Sequence, residues 1–309
     1  MITRRRMLVT LAGGACAALA QENVFRVDVR LVRILATVKT SSGELVGDLK
    51  KTDFQVFDNG VPQNISVFEH HTEQPLSVAM MVDTSASTGI DLKYEVESVS
   101  RFLRALFSEG NPQDAVELYA FDADTTLLSS FTRRMDRLER ELKGLKASGG
   151  TSLYDALCFA SASLEGREGR HVIVLITDGG DTTSAKSFHQ ALEAAQMADA
   201  VIYPVLVVPV TNDPGRNVGG ENALTSLAQG TGGRVFAPTL GPALDQAFTG
   251  ILRELRTQYL LGYYPANLPL AKERFHRIDI KLNRPDLRVL ARSGYYGESE
   301  EAHGWTPVR

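Results

Sequence analysis

The chain has 309 residues, of which 43% are hydrophobic and 23% are charged. This composition is ordinary for a globular protein that is long enough to bury a sizeable core. The formal net charge is −4, so the sequence lacks the basic balance of a nucleic-acid-binding protein. The aromatic content of 7% counts weakly against a module that stacks on sugars.

The first 20 residues have the layout of a secretory signal peptide. Three arginines at residues 4–6 precede an apolar stretch over residues 7–20, which ends in the small residues of Ala18-Leu19-Ala20. The stretch is shorter than the about 20 residues that a membrane span needs. We therefore expect cleavage before Gln21 and an extracytoplasmic protein, periplasmic or secreted. The alternative is a buried N-terminal helix.

Two details of this segment leave the export route and the anchoring open. Residues 3–8 are similar to a twin-arginine export signal. Cys16 is a candidate for a lipid anchor, although Gly13 stands where such signals usually carry leucine. Cleavage leaves Cys158 alone in the mature chain, which predicts no internal disulfide and a role as a small core residue. No other segment is apolar enough to span a membrane.

Residues 21–75 read as a β-rich flank. The sequence "FRVDVRL" alternates apolar and polar side chains, as a half-buried strand does. The sequence "FQVFDNGVPQNISVFEH" carries Asn59-Gly60 between two apolar runs, which predicts a β-hairpin.

Residues 76–257 change to short continuous apolar runs with helical patterns between most of them. The runs are "SVAMMV", "AVELYAF", "HVIVLIT", "AVIYPVLVV" and "GRVFA". This alternation predicts an α/β fold with a doubly wound, mostly parallel sheet covered on both faces. We expect "FDADTTLLSSF" to return as an antiparallel edge strand, and Pro204 to lie at a bulge or near an edge.

Residues 258–297 are strand-like again, and residues 298–309 look like a flexible tail. Each flank alone offers too few strands for a stable unit and has no helix to cover it. We therefore predict one β-sandwich built from both flanks, with the α/β domain inserted between its strands. The residues expected in its shared core are Val27, Val29, Phe54, Val56, Ile278, Ile280 and Val289. The alternatives are two separate units, or C-terminal strands that extend the central sheet.

Oxygen-bearing side chains follow the ends of the predicted parallel strands. Asp83 ends the first strand of the central domain, and Ser85 and Ser87 follow it at alternate positions. Thr151 lies in the loop "SGGTS" before a helix, and Asp178 follows the strand "HVIVLIT". All of these meet at the carboxyl edge of the sheet, where doubly wound folds bind ligands. Such hard oxygen donors suit Mg²⁺, with Mn²⁺ or Ca²⁺ as alternatives. Each hydroxyl alone is more often a helix cap.

The combination resembles the von Willebrand factor A domain and its metal-ion-dependent adhesion site. That site uses a DxSxS motif, a loop threonine and a loop aspartate, which are here Asp83, Ser85, Ser87, Thr151 and Asp178. The resemblance implies that the serines, and the threonine in the ligand-competent state, touch the metal, while the aspartates act largely through water. Ala86 and Thr88 depart from the glycine and methionine that relatives often have. The flanks resemble the exported bacterial "VWFA-related" proteins found in acidobacteria.

The sequence leaves three possible functions. The resemblance implies an adhesion-type module outside the cytoplasm, in which the metal binds an acidic side chain of a protein partner. The alternative is a structural or scaffold protein of the envelope in which the metal only braces the loops. An enzyme is disfavoured, because the chain has no GxSxG, HExxH or P-loop motif. A cluster of His70, His71, Glu69 and Glu73 lacks the usual spacing of transition-metal ligands.

The polar, glycine-rich segment over residues 209–222 follows the strand "AVIYPVLVV". In a parallel sheet it emerges at the same edge as Asp83, so we interpret it as a candidate loop for partner recognition. The alternative is a loose connection without a role.

Overall fold

The structure, a computed structural model, describes residues 31–70, 74–207, 217–238, 241–268 and 274–297. The predicted signal peptide, the predicted tail, and Val27 and Val29 of the predicted sandwich core lie outside these residues. Within them, no helix is both long enough and apolar enough to cross a membrane.

Thirteen strands and six α-helices occur in the described residues. The strands are β1 (Val32–Thr40), β2 (Phe54–Asp58), β3 (Val61–Gln63), β4 (Ile65–His70), β5 (Leu76–Asp83), β6 (Ala115–Phe121), β7 (Thr125–Thr132), β8 (Arg170–Thr177), β9 (Ala200–Leu206), β10 (Tyr259–Tyr263), β11 (Phe275–Leu282), β12 (Leu287–Leu290) and β13 (Gly294–Tyr296). The helices are α1 (Leu92–Glu109), α2 (Met135–Lys143), α3 (Leu153–Leu164), α4 (Phe188–Met197), α5 (Val218–Thr231) and α6 (Pro242–Thr257). Short 3₁₀ turns cover Lys51–Asp53 and Ala86–Ile90.

The central sheet has five strands in the order β7-β6-β5-β8-β9. Strand β5 pairs in parallel with β6 and β8, and β8 pairs in parallel with β9. Strand β7 pairs antiparallel with β6 at the sheet edge, which confirms that prediction. Every residue of β5, β8 and β9 is buried, as continuous apolar runs in a doubly covered sheet require.

Both faces of this sheet carry helices. Helices α1, α2 and α6 pack on one face with residues such as Val99, Leu103 and Phe248. Helices α3, α4 and α5 pack on the other, with residues such as Leu157 and Leu227. The doubly wound α/β arrangement is therefore confirmed.

Pro204 lies in β9 at the edge of the sheet, as predicted. The predicted strand "GRVFA" is wrong, because it contributes only an isolated bridge between Phe236 and Val205. Phe236 accepts a hydrogen bond from the Leu206 N–H (2.7 Å) and donates one to the Pro204 carbonyl (2.8 Å). The Pro204 nitrogen thus faces the open edge, where a missing N–H costs little. Two residues after Phe236, the residue that would donate the next hydrogen bond to β9 is Pro238, which has no N–H. The pairing therefore ends after one bridge.

The two flanks form one β-sandwich. Its sheets have the orders β12-β1-β10-β4 and β13-β11-β2-β3, so each sheet contains strands from both ends of the chain. Strand β10 lies between β1 and β4, and β11 pairs with β2. The buried core includes Phe54, Val56, Ile278 and Ile280, and Val289 packs against it. These contacts confirm the shared sandwich, and in the described part of the chain the flanks form neither separate units nor an extension of the central sheet.

A buried polar network joins the two sandwich sheets. Asp58, which ends β2, is fully buried and accepts hydrogen bonds from the hydroxyls of Tyr263 and Tyr295, both at 2.8 Å. Its other oxygen lies 3.1 Å from Nδ1 of His276. The turn that follows Asp58 has positive φ at Asn59 (47°) and Gly60 (80°), which confirms the predicted hairpin.

Candidate metal-binding site

Asp83 lies at the carboxyl end of β5, the middle strand of the central sheet. Its side chain is fully buried. One carboxylate oxygen, Oδ1, accepts the backbone N–H of Ser85 at 2.8 Å, and Oδ2 accepts the hydroxyl of Thr177 at 2.6 Å. Strand β5 therefore fixes the position of the acid, and the start of the next turn fixes its orientation.

The turn after Asp83 presents two serine hydroxyls together. Ser85 is buried and Ser87 is exposed, and their Oγ atoms lie 3.1 Å apart. Two neighbouring ligands of an octahedral Mg²⁺ are about 3.0 Å apart, given metal–oxygen distances of about 2.1 Å. Thr88 closes the turn, because its hydroxyl is within hydrogen-bond distance of the carbonyls of Asp83 (3.2 Å) and Ser85 (2.9 Å). Thr88, which stands where relatives often have methionine, therefore stabilises this turn.

Thr151 is brought to this turn by hydrogen bonds between loops. The Ala86 N–H donates to the Gly149 carbonyl at 3.2 Å, and the Ser148 N–H donates to the Thr84 carbonyl at 2.7 Å. The side chain of Thr151 is buried, with 5% exposed.

A second set of hydrogen bonds joins Thr151 to the loop after β8. The backbone N–H of Thr151 donates to the Thr182 hydroxyl, and its carbonyl accepts the Thr182 N–H, both at 2.8 Å. The loop that follows Asp178 is therefore attached to the loop that carries Thr151.

Asp178 directly follows β8 and is half-buried. Its negative charge contributes to the raised pKa of Asp83, which shows that the two acids are close enough to interact. The glycines after it pack against the start of α5, since a Cβ at Gly220 would lie 1.8 Å from the Gly179 carbonyl oxygen. All five predicted residues therefore lie on connected loops at one edge of the sheet. Their role as metal ligands stays a prediction.

Glu95, on the first turns of α1, is an acid that is not among the five residues predicted from the sequence. Its side chain is 1% exposed, and Oε2 has no hydrogen-bond partner among the described residues. Burial, together with the negative charges of Asp83, Asp91 and Asp178, raises its pKa from 4.5 to about 8. Glu95 therefore faces the same acidic region as the predicted ligands.

The electrostatics of this region favour a cation. Burial also raises the pKa of Asp83 from 3.8 to about 6, although hydrogen bonds from Thr177 and Ser85 act to lower it. Within the described residues, no ion pair reaches Asp83, Glu95 or Asp178. Acids that share a buried region without a basic partner repel one another, and a divalent cation would relieve that repulsion.

The donor set decides which kind of cation fits. Across the described ranges, no three His, Cys, Asp or Glu side chains lie close enough together to hold a metal. A cation at this edge would therefore take serine and threonine hydroxyls and water as ligands beside the carboxylates. Such oxygen ligands suit Mg²⁺, which keeps several waters, better than zinc or another soft metal.

Two other regions singled out in the sequence have different outcomes. Of the histidine and glutamate cluster, His71 and Glu73 lie outside the described residues, and His70 lies beside the ring of Tyr259. The candidate recognition loop is partly wrong, because residues 218–222 belong to α5. Asn217 caps that helix by accepting the N–H of Gly220 at 2.9 Å. Residues 209–216 lie outside the described ranges.

The central domain was compared with known families and structures. Residues 78–180 match the family model of the von Willebrand factor type A domain. No curated protein matches the chain.

Three solved structures of low identity are similar to the chain. The vWF domain of the type V pili tip protein Mfa5 from Porphyromonas gingivalis is 16% identical over 60% of this chain and 96% of that one, with a TM-score of 0.49. The PilB minor pilin from Streptococcus sanguinis, as its D319A mutant, is 15% identical over 59% and 62%, with a TM-score of 0.47. BatB from Bacteroides thetaiotaomicron is 18% identical over 58% and 97%, with a TM-score of 0.47. These likenesses are too distant to carry a functional argument. On the family match and the observed α/β fold, the chain is a protein with a von Willebrand factor type A domain.

Proposed function

We propose that this protein is a metal-dependent protein-binding module of the adhesion type that acts outside the cytoplasm. Asp83, Ser85, Ser87, Thr151 and Asp178 would hold one Mg²⁺ at the carboxyl edge of the central sheet. The observation that carries the proposal is the pair of serine oxygens 3.1 Å apart beside buried acids that have no basic partner among the described residues.

The metal, when bound, would supply a positive centre with one position open to a carboxylate of the partner. The chain's own residues prepare that centre. Both oxygens of Asp83 already accept hydrogen bonds, so Asp83 is suited to hold a metal-bound water rather than the metal itself. Ser87 is exposed, so the cation would be reachable from solvent. Few direct carboxylate ligands leave the cation attractive to an acid from outside.

The competing role is a scaffold protein in which the metal only braces the loops. The loops are already joined by backbone hydrogen bonds, as between Ser148 and Thr84 and between Thr182 and Thr151. Bracing by a metal is therefore not required to hold them. This observation favours the binding module. The signal-like N-terminus supports an extracytoplasmic location, and the missing catalytic motifs support a protein that is not an enzyme.

Calorimetry with Mg²⁺ tests the metal. We expect one binding site in the wild-type protein and no detectable binding after Asp83→Ala, while the fold survives because the substitution relieves the repulsion between neighbouring acids. Asp124→Ala is the matched control, since Asp124 is an exposed acid in a neighbouring loop. Unchanged Mg²⁺ affinity in Asp83→Ala would refute the site.

A pull-down from the native envelope tests the partner. We expect a protein that is retained in Mg²⁺ and lost in chelator or on Ser87→Ala. Retention that does not depend on the metal would favour the scaffold role.

A further inference from the structure

A groove runs from the rim of the metal site between α1, α2 and the segment after α2. Its volume is about 900 Å³, and Gly89 and Ala147 line the end nearest the site. Gly89 follows Ser87 by two residues, so their Cα atoms are at most about 7.6 Å apart. Ala147 precedes Ser148 and Gly149, which are hydrogen-bonded to the turn after Asp83. The groove therefore opens beside the position where a partner's acid would meet the cation.

The walls of the groove are basic, although the chain as a whole is acidic. Lys93, Lys143 and Lys146 line it and are exposed, and within the described part of the chain none of them has an ion pair. The other charged residues of the lining are Glu97, Arg101, Arg104 and Glu139. Both arginines are already paired, Arg101 with Asp245 and Arg104 with Glu139. Apart from these two ion pairs, the lining carries three lysines and Glu97, which gives the groove a net positive charge.

The floor of the groove is apolar and its length suits an extended chain. Its apolar lining consists of Leu92 and Val96 of α1 together with Leu142 and Leu145. The helix lines the groove from residue 92 to residue 104, which is about 18 Å at 1.5 Å per residue. An extended segment of about five or six residues covers that distance.

We propose that this basic groove receives an acidic, extended segment of a protein partner, continuous with the side chain that reaches the cation. The inference rests on the proposed function of the metal site and names the chemistry of its partner. The lysines would attract several acidic side chains, and the apolar floor would take an aliphatic one. Because the lysines are exposed, their contribution should weaken as salt rises.

Two labelled hexapeptides test this inference on the full chain by fluorescence anisotropy in excess Mg²⁺. The peptide DEELEE carries acids throughout, whereas DQQLQQ keeps only the first acid for the metal. We expect the triple variant Lys93→Glu, Lys143→Glu, Lys146→Glu to bind DEELEE about tenfold more weakly at low salt and to lose most of the salt dependence. Its affinity for DQQLQQ should stay unchanged.

A second triple variant makes the same change of charge on the sandwich. Lys50→Glu, Lys51→Glu and Arg288→Glu all alter exposed residues away from the groove, and DEELEE should bind this variant within about twofold of the wild type, since distant exposed charges are screened. If charge reversal in the groove unfolds the protein, Lys→Gln at the same three positions makes the same test.

The possible results distinguish a failure of the groove proposal from a failure of the metal proposal. Equal affinity of the wild type and the groove variant for DEELEE overturns the groove and leaves the metal proposal standing. If the groove variant loses affinity for DEELEE, but chelator and Asp83→Ala leave the binding of DEELEE unchanged, the groove is supported and the proposed function is contradicted. Binding of anionic phospholipid vesicles that DEELEE fails to displace overturns an acidic peptide as the occupant.

Discussion

Glu95 places an acid where the apolar face of α1 would otherwise continue. It follows Leu92 by three residues and precedes Val99 by four, and both of these are buried. A carboxyl group at this position gains no hydrogen bond at Oε2 and lies near Asp83 and Asp178. An arrangement that is unfavourable for the metal-free fold is typical of a functional site.

The raised pKa of Glu95 predicts how the stability of the metal-free protein depends on pH. The folded protein holds this proton up to about pH 8, whereas the unfolded chain releases it near its ordinary pKa of 4.5. The free energy of unfolding should therefore fall as pH rises through this window, by on the order of a few kcal/mol. The pKa of Asp83 is raised from 3.8 to about 6, so Asp83 should add a smaller loss of stability as pH rises between these two values.

Substitution isolates the contribution of Glu95. We expect the free energy of unfolding of Glu95→Gln to depend less on pH than that of the wild type. The variant should also be more stable than the wild type at pH 8, as measured by urea unfolding in chelator. Glu97→Gln, an exposed acid on the same helix, is the control and should keep the wild-type slope. A slope that persists in Glu95→Gln would contradict the assignment.

The sequence could predict that Asp83, Ser85, Ser87, Thr151 and Asp178 meet at one edge of the sheet, because strand ends and hydroxyl spacing are local patterns. Glu95 and Thr177 were not found, because their roles depend on which loops meet in the folded chain. A signal for Glu95 was present, since an acid interrupts the apolar stripe of α1. Thr177 carried no such signal, because threonine is common at the end of a buried strand.

At the scale of elements, Asp58 joins the two sandwich sheets through Tyr263 of β10, and it also contacts Tyr295 and His276 within its own sheet. Removing its carboxylate should leave buried hydroxyls without an acceptor. We expect Asp58→Ala to cost about 2–4 kcal/mol, visible as faster hydrogen exchange in β2, β10 and β11. Asp58→Asn keeps an acceptor oxygen and should cost less.

A matched surface substitution checks that the effect comes from burial. Asp286 is exposed and, among the described residues, pairs only with Arg284 at 3.1 Å, so Asp286→Ala should change stability by less than about 1 kcal/mol. Equal exchange rates in Asp58→Ala and Asp286→Ala would mean that the network does not hold the sheets together.

Apolar runs predicted the buried strands of the central sheet well, because continuous burial leaves a plain pattern. The same rule failed at "GRVFA", where Pro238 ends the pairing after one bridge. It also failed to find the start of α5, because "NVGGEN" looks like a loop. That helix begins there because Asn217 caps it and its glycines pack closely on the turn after Asp178.

At the scale of the whole molecule, the sandwich and the inserted domain share an interface that ties their stabilities together. Lys39 of β1 pairs with Glu254 of α6 at 2.6 Å, and Gln258 donates to the Tyr203 hydroxyl at 3.1 Å. Glu254 is almost fully buried and is also paired with Arg234. The inserted domain would therefore keep one partner for this acid if the sandwich were lost.

Truncation tests whether the two flanks need each other. Deleting residues 258–309 removes β10 from between β1 and β4, and β11 from beside β2. Among its described residues, the N-terminal flank then retains the β2–β3 hairpin and the short bridge between Lys39 and Leu45, and an isolated hairpin is marginal in water. We expect proteases to cut this flank rapidly, while the central domain stays folded with a lower melting temperature and still binds Mg²⁺. A control that deletes only residues 298–309 should resist proteolysis like the full chain. An N-terminal flank that remains protected in the longer deletion would show that its core does not depend on the C-terminal strands.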